Sequence, residues 1–346
     1  MRLPKIRLVN IIVAVAFISF PFSLLQAQKE DRYSSLQGPY LGQKPPGNVA
    51  ELFAPGLIST GLYERDCAVS PDGKEIYHGV FIGTWATIML TQNIDGRWTE
   101  PTIVPFASDP DFNFLEPCLS SNGDRLFFLS NLPPAGEKPK RGWGHQNIWI
   151  VDRQADGSWG KPYDLGQPIN TPDQEYFPSL TRDGTLYFSR STAGTPSAVY
   201  RSRLVNNVYS RPEKLPSPVN GSWSIYNACI APDESYLIGC VAGKDTTLPK
   251  NLARYYISFQ TSTGIWSELI DMGDMINPPG STALSPSISP DGRFFFFSLS
   301  QPVASTALKN LKNLSDILEI HASPFNGSAN IHWVSTQVID DLRKNR

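Results

Sequence analysis

The chain has 346 residues and a formal net charge of -2, and this near-neutral balance gives no electrostatic basis for binding nucleic acid or an anionic membrane surface. A hydrophobic content of 40% and an aromatic content of 11% are enough for a large folded core and argue against intrinsic disorder. Length alone fits two domains, but one closed ring of β-strands also uses this many residues.

The first 28 residues have the layout of a secretory signal peptide. Basic residues precede an apolar run over 9–25, and Ala27 is a suitable small residue before a cleavage site. A membrane anchor is the competing interpretation, but it needs about 20 apolar residues, and Pro21 interrupts the run. No cysteine lies near the site, which argues against a lipoprotein. We predict cleavage after this segment, a periplasmic or secreted location, and no membrane span in the processed protein.

Residues 29–48 are polar and rich in glycine and proline. We predict that they form an extended lead-in and that residues 49–346 form one domain.

The repeating feature of that domain is a tight turn followed by an aromatic strand. The five copies contain Asp72-Gly73, Asn122-Gly123, Asp183-Gly184, Asp233-Glu234 and Asp291-Gly292. Successive copies are separated by 50, 61, 50 and 58 residues, which indicates a repeat architecture.

Each repeat predicts four strands. The first strand ends at the turn, the second is the aromatic run after it, and the third is rich in β-formers, as in Ile148–Val151. The fourth is predicted to hold a Gly-x-Trp-x-x-Pro pattern, as in Gly96–Pro101 and Gly157–Pro162. Proline is tolerated in an edge strand. Four-stranded units arranged in a ring are the blades of a β-propeller, an all-β fold.

The repeats resemble those of TolB-type propellers, whose mark is a Ser-Pro-Asp-Gly turn before an aromatic strand. Ser70-Pro71-Asp72-Gly73 and Ser289-Pro290-Asp291-Gly292 carry the resemblance most fully, and it extends over roughly residues 49–336. The resemblance implies a propeller fold and says little about activity, because such repeats occur in binding proteins, peptidase propellers and some polysaccharide lyases.

The two ends of the repeat region predict how the ring closes. Residues 51–56 align with residues 161–166, which belong to a fourth strand, while the last repeat ends with a third strand at Ile331–Val334. The N-terminal strand is therefore expected to complete the last blade. This arrangement gives five blades, and six remains the alternative.

Two insertions interrupt the repeat, both between a second and a third strand. Residues 131–146 are rich in proline, glycine, lysine and arginine. Residues 301–330 contain leucines at steps of three or four, from Leu308 to Leu318, and predict a small helical insertion with Thr306 as a cap. Val338, Ile339 and Leu342 predict a short C-terminal helix.

The four cysteines, Cys67, Cys118, Cys229 and Cys240, have no C-x-x-C spacing, so they support neither a zinc site nor a redox motif. Cys229 and Cys240 flank one turn and are candidates for a disulfide across a hairpin. Four small buried thiols are the alternative.

The loops sort by face. The Asp-Gly turns lie on one face of the ring, and both insertions share the opposite face with the starts of the first strands. Side chains entering the first strands or leaving the second ones are expected to converge on the channel mouth there, and a concave site with a few polar groups is the default location for a ligand. The candidate ligand-binding residues are Glu64, Arg65, Asp66, His78, Glu116, Asn131, His145, Glu175, Tyr176, Arg190, Tyr226 and Asn227. The alternative is that these groups bond neighbouring blades.

Motifs for chemistry are sparse. The four histidines lack metal-binding spacing, so we predict no metal site. The chain has no Gly-x-Ser-x-Gly elbow, Walker motif or dinucleotide fingerprint, and we predict no cofactor. The favoured hypothesis is an exported TolB-like propeller that binds a peptide, a glycan or an envelope protein. The alternative is a lyase or hydrolase acting on a polysaccharide or peptide at the channel mouth, and the sequence leaves open whether the protein is an enzyme.

Overall fold

Each repeated turn joins two antiparallel strands in the computed structural model, which describes Tyr33 and residues 35–344. The predicted signal peptide, residues 1–28, lies outside the described residues. In the first turn, the hydroxyl of Ser70 donates to the Asp72 carboxylate at 2.6 Å and accepts from the Glu75 amide at 2.9 Å. Gly73 has a φ of +70°, a conformation that glycine adopts at low cost. The side chains of the turn thus satisfy its own backbone.

The turns repeat to form five sheets arranged as the blades of a propeller. The N-terminal strand is β1 (Glu51–Leu52). The first blade consists of β2 (Tyr63–Val69), β3 (Glu75–Ile82), β4 (Trp85–Ile94), β5 (Arg97–Trp98) and β6 (Thr102–Ile103). The second consists of β7 (Phe114–Leu119), β8 (Arg125–Ser130), β9 (Asn147–Asp152) and β10 (Tyr163–Asp164).

The remaining blades follow the same plan. The third consists of β11 (Gln174–Leu180), β12 (Leu186–Ser191), β13 (Ala198–Ser202) and β16 (Glu213–Lys214), with a small hairpin of β14 (Leu204–Val205) and β15 (Val208–Tyr209). The fourth consists of β17 (Ser224–Ile230), β18 (Tyr236–Ala242), β19 (Ala253–Phe259) and β20 (Ile270–Asp271). The fifth consists of β21 (Thr282–Ile288), β22 (Phe294–Ser300), β23 (Ala329–Ser335) and β1.

The first strands of the five blades contact one another in a closed ring, and β21 contacts β2 to complete it. The prediction of an all-β propeller with five blades is therefore confirmed. The apolar core lies between neighbouring blades, as where Tyr255 of the fourth blade packs against Phe295 and Phe297 of the fifth. Burial of such aromatic side chains is the main favourable contribution to folding.

The position of the fourth strands differs from the prediction. Trp159 and Trp266 form only isolated bridges to the residues directly after the third strands, and Trp98 belongs to the short β5. The outermost strands follow these tryptophans and have only two residues each, as in Tyr163–Asp164 and Ile270–Asp271. The Gly-x-Trp pattern therefore marks the hairpin before the fourth strand, with the indole packed inward.

The N-terminal residues contact both the last blade and the first. β1 pairs with β23, with Glu51 opposite Trp333. Upstream, Tyr40 packs on Phe294 with ring centroids 5.1 Å apart, and the Trp98 indole donates to the Gly38 carbonyl at 2.8 Å. The lead-in therefore spans the boundary between the fifth and first blades.

The two insertions fold differently. The described residues contain no helix or strand between β8 and β9. The second insertion contains two short helices, α1 (Ser305–Lys309) and α2 (Leu314–His321), so the predicted helical insertion is present, but the leucine pattern is split. Thr306 lies inside α1 and caps nothing, whereas Asn313 caps α2 and receives a hydrogen bond from the Asp316 amide at 3.1 Å. The C-terminal helix is α3 (Gln337–Lys344).

The cysteines are all free thiols. Cys229 lies opposite Ile238 and Cys240 lies opposite Tyr226, so the two thiols do not face each other across the hairpin. Within the described residues, no helix is both long enough and apolar enough to cross a membrane.

Candidate functional site

A β-bulge interrupts the innermost strand of every blade at an equivalent position. Asp66, Glu116, Phe177 and Asn227 occupy the bulges of the first four blades with φ between +47° and +58°. A bulge re-aims the side chains that follow it. The residue directly before the bulge lines the mouth of the channel in these four blades, namely Arg65, Leu115, Tyr176 and Tyr226. Residues directly after the bulges, such as Cys67 and Pro117, lie at the end with the Asp-Gly turns.

The bulge residues link the blades through hydrogen bonds around the channel. The Glu116 amide donates to Asp66 at 3.2 Å, and the Phe177 amide donates to Glu116 at 2.7 Å. The Asn227 side chain donates to the Leu284 carbonyl at 2.5 Å. The Ser285 hydroxyl donates to Asp66 and joins the fifth blade to the first. The role of Asp66 is thus structural, because its carboxylate links the first blade to both neighbouring blades.

The channel mouth holds a cavity of about 370 Å³, hereafter the mouth cavity. Its lining includes five of the twelve predicted residues, Arg65, Glu116, Tyr176, Tyr226 and Asn227, which come from four different blades. The additional lining residues are Phe81, Leu115, Leu129, Trp143, Gln146, Gln174 and Ser191. The mouth cavity therefore combines aromatic surfaces with a few polar groups, as ligand sites do.

Arg65 supplies the positive charge in the lining of the mouth cavity. Its Nε donates to Asp66 at 3.0 Å and one terminal nitrogen donates to Glu116 at 3.0 Å. Burial raises the pKa of the Glu116 carboxyl, opposed by the Arg65 guanidinium and assisted by the Asp66 carboxylate. Within the described residues, the other terminal nitrogen of Arg65 has no partner, so it can still donate to a ligand.

Two groups of the fourth blade carry unused hydrogen-bonding capacity. The side-chain oxygen of Asn227 is buried and lacks a donor among the described residues. The Tyr226 hydroxyl has no hydrogen bond within the described part of the chain either, and burial raises the pKa of this phenol. A buried acceptor without a donor costs free energy. A ligand hydroxyl or amide that donated a hydrogen bond to the Asn227 oxygen would recover this free energy.

A second cavity, of about 690 Å³, lies beside the mouth over the boundary between the second and third blades; we call it the side cavity. Trp143, Gln146, Gln174 and Ser191 line both cavities, so the two adjoin each other, and we call them together the cleft. The first insertion forms one wall. Asn131 holds it there, because its side chain accepts from the Asn113 amide at 2.7 Å and donates to the Gly142 carbonyl at 2.8 Å.

His145, also from the first insertion, lines the side cavity. Its Nε2 is 2.9 Å from the Lys138 carbonyl oxygen, and its Nδ1 is 3.8 Å from Glu137. The imidazole is buried and helps to fold the insertion onto itself. Among the described residues, no group of three or more histidine, cysteine, aspartate or glutamate side chains is close enough to hold a metal ion.

Glu64, Glu175 and Arg190 do not line the mouth cavity. Glu64 accepts from the Thr60 hydroxyl, and Glu175 accepts from Thr171 at 2.6 Å and from Arg190 at 2.7 Å. Arg190 also donates to the Ile169 carbonyl at 2.9 Å. Both carboxylates therefore anchor the loop that enters a first strand.

His78 was predicted at the end of a second strand, but β3 continues to Ile82, and His78 lies mid-strand opposite Cys67. It is buried, its Nδ1 lacks a partner among the described residues, and burial lowers the pKa of the imidazole to about 4. The side chain is thus a neutral residue of the blade interior and lines neither the mouth nor the side cavity.

The opposite end of the channel holds a cavity of about 460 Å³ among the Asp-Gly turns. Cys118 and Cys229 line it with the prolines of the inner strands, and Arg182 lies at its rim. Burial raises the pKa of the Cys118 thiol to about 12 and that of Cys229 to about 11, so both are protonated and unreactive at neutral pH. We refer to this space as the turn-face cavity.

Sequence reasoning missed the glutamines of the cleft. Gln174 precedes the predicted Glu175 by one residue, and alternation along a strand sends adjacent side chains to opposite faces. This alternation was the signal that could have identified Gln174. The side chains of Gln174 and Tyr176 are on the side of the strand that faces the mouth, and Glu175 is on the other side.

No protein-family model matches this chain, and no curated protein matches it either. Similar solved structures include TolB from Acinetobacter baumannii, with 18% identity over 69% of this chain and 51% of that chain and a TM-score of 0.44. A prolyl endopeptidase structure has 14% identity over 70% of this chain and 32% of that chain, with a TM-score of 0.39. A GH62 hydrolase in complex with xylotriose has 9% identity over 79% of this chain and 90% of that chain, with a TM-score of 0.44.

This chain spans about half of the TolB chain and about one third of the endopeptidase chain. At these identities and TM-scores the similarities assign neither a family nor an activity. The architecture rests on the strand pairing itself, which is that of a five-bladed β-propeller.

Proposed function

We propose that this protein is an exported binding module, related to the TolB-type propellers, that holds a peptide, a glycan or a segment of an envelope protein at the mouth of its channel. The observation that carries the proposal is the mouth cavity, where Arg65, Tyr176, Tyr226 and Asn227 converge from three blades beside Trp143 of the first insertion. Residues far apart in the sequence meet there with unused hydrogen-bonding groups.

The charges of the mouth support a binding role. The carboxylate of Glu116 accepts from Arg65 on one oxygen and from the Phe177 amide on the other. Both oxygens are thus engaged by donors, and the guanidinium is held in place. A preorganised donor beside aromatic walls binds a polar ligand at little entropic cost.

Screening against arrays of oligosaccharides and peptides, followed by titration calorimetry, tests the proposal. Tyr226→Ala should abolish binding of the ligand that the screen identifies, and Tyr226→Phe should weaken it less, because the ring is retained. Arg182→Ala, at the rim of the turn-face cavity, is the control and should bind like the wild type.

Equal loss in the Arg182 variant, or undiminished binding by Tyr226→Ala, would place the site elsewhere and overturn the proposal. Chromatography of the bound ligand after prolonged incubation tests the enzymatic alternative. If the oligosaccharides or peptides are shortened during incubation, the protein is a lyase or hydrolase and not a binding module.

A further inference from the structure

The cleft formed by the mouth and side cavities is long and polar. Trp143, Gln146, Gln174 and Ser191 belong to the lining of both parts, so an extended ligand can contact both at once. The combined space of the two cavities, about 370 and 690 Å³, exceeds what a single small metabolite fills. The shape therefore favours a ligand built of several linked units.

The charged groups of the cleft engage one another or nearby polar groups. Arg65 is bonded to two carboxylates, and Lys140 lies 3.6 Å from Glu137. Asp173 accepts from the Thr192 hydroxyl at 2.8 Å. The carboxylates of the lining outnumber these two cations, both of which are already paired with carboxylates, so an anionic ligand would meet net repulsion.

Apart from one terminal nitrogen of Arg65, the groups of the cleft that remain unengaged are neutral. Within the described residues, the side-chain amides of Gln146, Gln167 and Gln174 have no hydrogen-bond partner, although each lies in the lining of the cleft. The Asn227 oxygen is a buried acceptor without a donor. Amides present both donors and acceptors, which suits a ligand whose hydroxyl groups do the same.

The aromatic groups supply flat apolar surfaces at the junction. Trp143 is half-buried and contributes to both cavities, and Tyr176 and Tyr226 line the mouth. Pyranose rings have faces of C–H groups and an equator of hydroxyls, so they can stack on an indole while their hydroxyls bond to amides. Strand addition, one common way to bind an extended peptide, needs an open strand edge, whereas this cleft is lined by strand ends and loops.

We propose that the cleft binds a neutral oligosaccharide, with a pyranose ring stacked on Trp143 and its hydroxyls bonded to the glutamine amides. This proposal rests on the proposed binding function at the mouth and names the chemical class of its ligand. Peptides and anionic glycans are the competing ligand classes.

Calorimetric titration of the full chain with three matched sets of ligands tests the proposal. The sets are neutral oligosaccharides from disaccharide to hexasaccharide, uronic-acid oligosaccharides of the same lengths, and uncharged or basic peptides. We expect binding only by the neutral oligosaccharides, with affinity rising with length until the cleft is filled. Trp143→Ala should weaken binding at least about tenfold, and Gln174→Ala roughly threefold. Gln301→Ala, an exposed amide on the same face outside the cleft, should have no effect.

The outcomes separate this inference from the proposed function. Binding of a peptide or an anionic glycan that depends on Tyr226, without binding of neutral oligosaccharides, overturns the inference and leaves the mouth as a binding site. Neutral oligosaccharides that bind equally well to the Trp143 and Gln174 variants also overturn it. If no ligand of any class depends on Tyr226, both proposals fail. Melting temperatures of the variants confirm that each one is folded.

Discussion

Two buried glutamates at equivalent positions of the first and third blades differ in one partner. Glu64 accepts from Thr60, and its second oxygen is buried without a donor among the described residues. Glu175 accepts in the same way from Thr171 but also pairs with Arg190 at 2.7 Å. Burial raises the pKa of Glu64 from 4.5 to about 7, because the bonds from Thr60 do not offset the loss of hydration.

This difference predicts a pH dependence of stability. Between pH 4.5 and about 7 the folded protein retains a proton on Glu64 that the unfolded chain has lost, so the free energy of unfolding should fall as the pH rises through this range. Glu64→Gln cannot ionise. The difference in the free energy of unfolding between this variant and the wild type should therefore change in favour of the variant as the pH rises from 4.5 to about 7, by on the order of 1 to 3 kcal/mol.

Chemical denaturation at both pH values measures the effect, and subtraction of the wild-type curve removes the contributions of other groups such as His78. Glu175→Gln is the matched control. Burial raises the pKa of this carboxyl as well, but the substitution also removes the charged partner of Arg190, so it should be destabilising at the upper pH, where Glu64→Gln is not. A variant of Glu64 that follows the wild type at every pH would show that this carboxyl titrates normally.

The residues of the mouth were predictable only in part. Arg65, Tyr176 and Tyr226 were identified because the repeats place them at equivalent positions. Glu175 was grouped with them, although strand alternation turns it away. The bulges at Asp66 and Glu116 were not predictable, because they depend on hydrogen bonds between blades that the local sequence does not specify.

At the level of elements, an asparagine fastens the loop after the outermost strand to the third strand in three successive blades. Asn170 bonds both the amide and the carbonyl of Ile148, and Asn277 does the same with Tyr255. Asn220 bonds the amide and carbonyl of Val199 and also donates to the Leu215 carbonyl at 2.7 Å. The side chain thus replaces a strand partner where the fourth strand has ended.

Asn220→Ala is expected to destabilise the protein by about 2 kcal/mol or more, because it leaves several buried backbone groups unpaired. Urea denaturation of the variant measures the loss. Asn251→Ala, at an exposed asparagine outside these loops, should change the free energy of unfolding by less than about 0.5 kcal/mol. An Asn220 variant as stable as this control would mean that water replaces the lost bonds.

The strands were predictable from the sequence where a turn with a clear residue signature joins them. The Asp-Gly and Asn-Gly turns predicted the first and second strands, and Gly73, Gly184 and Gly292 have the positive φ that such turns require. The fourth strands were misplaced, because two-residue strands carry no periodic signal. The leucines of the second insertion predicted one helix, but the capping bonds of Asn313 begin a separate helix instead.

For the whole molecule, the N-terminal residues form part of the boundary between the fifth and first blades. A variant lacking residues 29–56 would lose β1 and the packing of Tyr40, leaving the β23 edge unpaired. An open edge promotes association between molecules, so the variant should melt at a lower temperature and elute from size-exclusion chromatography as aggregates. A variant lacking only residues 29–34 retains these contacts and is the control. A monomeric 29–56 deletion with unchanged melting temperature would contradict this role.

The five-bladed ring was predictable because the five repeats follow one another at similar spacings of 50 to 61 residues, and each unit must bury its faces against its neighbours. The division of the channel into a mouth cavity and a turn-face cavity was not. It depends on five bulges that act together at one level of the ring, and no single repeat contains that information.

The pairing of β1 with β23 has a consequence for the order of folding. The two strands lie roughly 280 positions apart, whereas the strands of the first blade are close neighbours in sequence. During synthesis from the N-terminus, the first four blades can form while β1 still lacks its partner. The last blade then assembles from both ends of the repeat region, and such non-local pairing is slow. A chain that folds in this order would remain an open arc of blades until β1 pairs with β23.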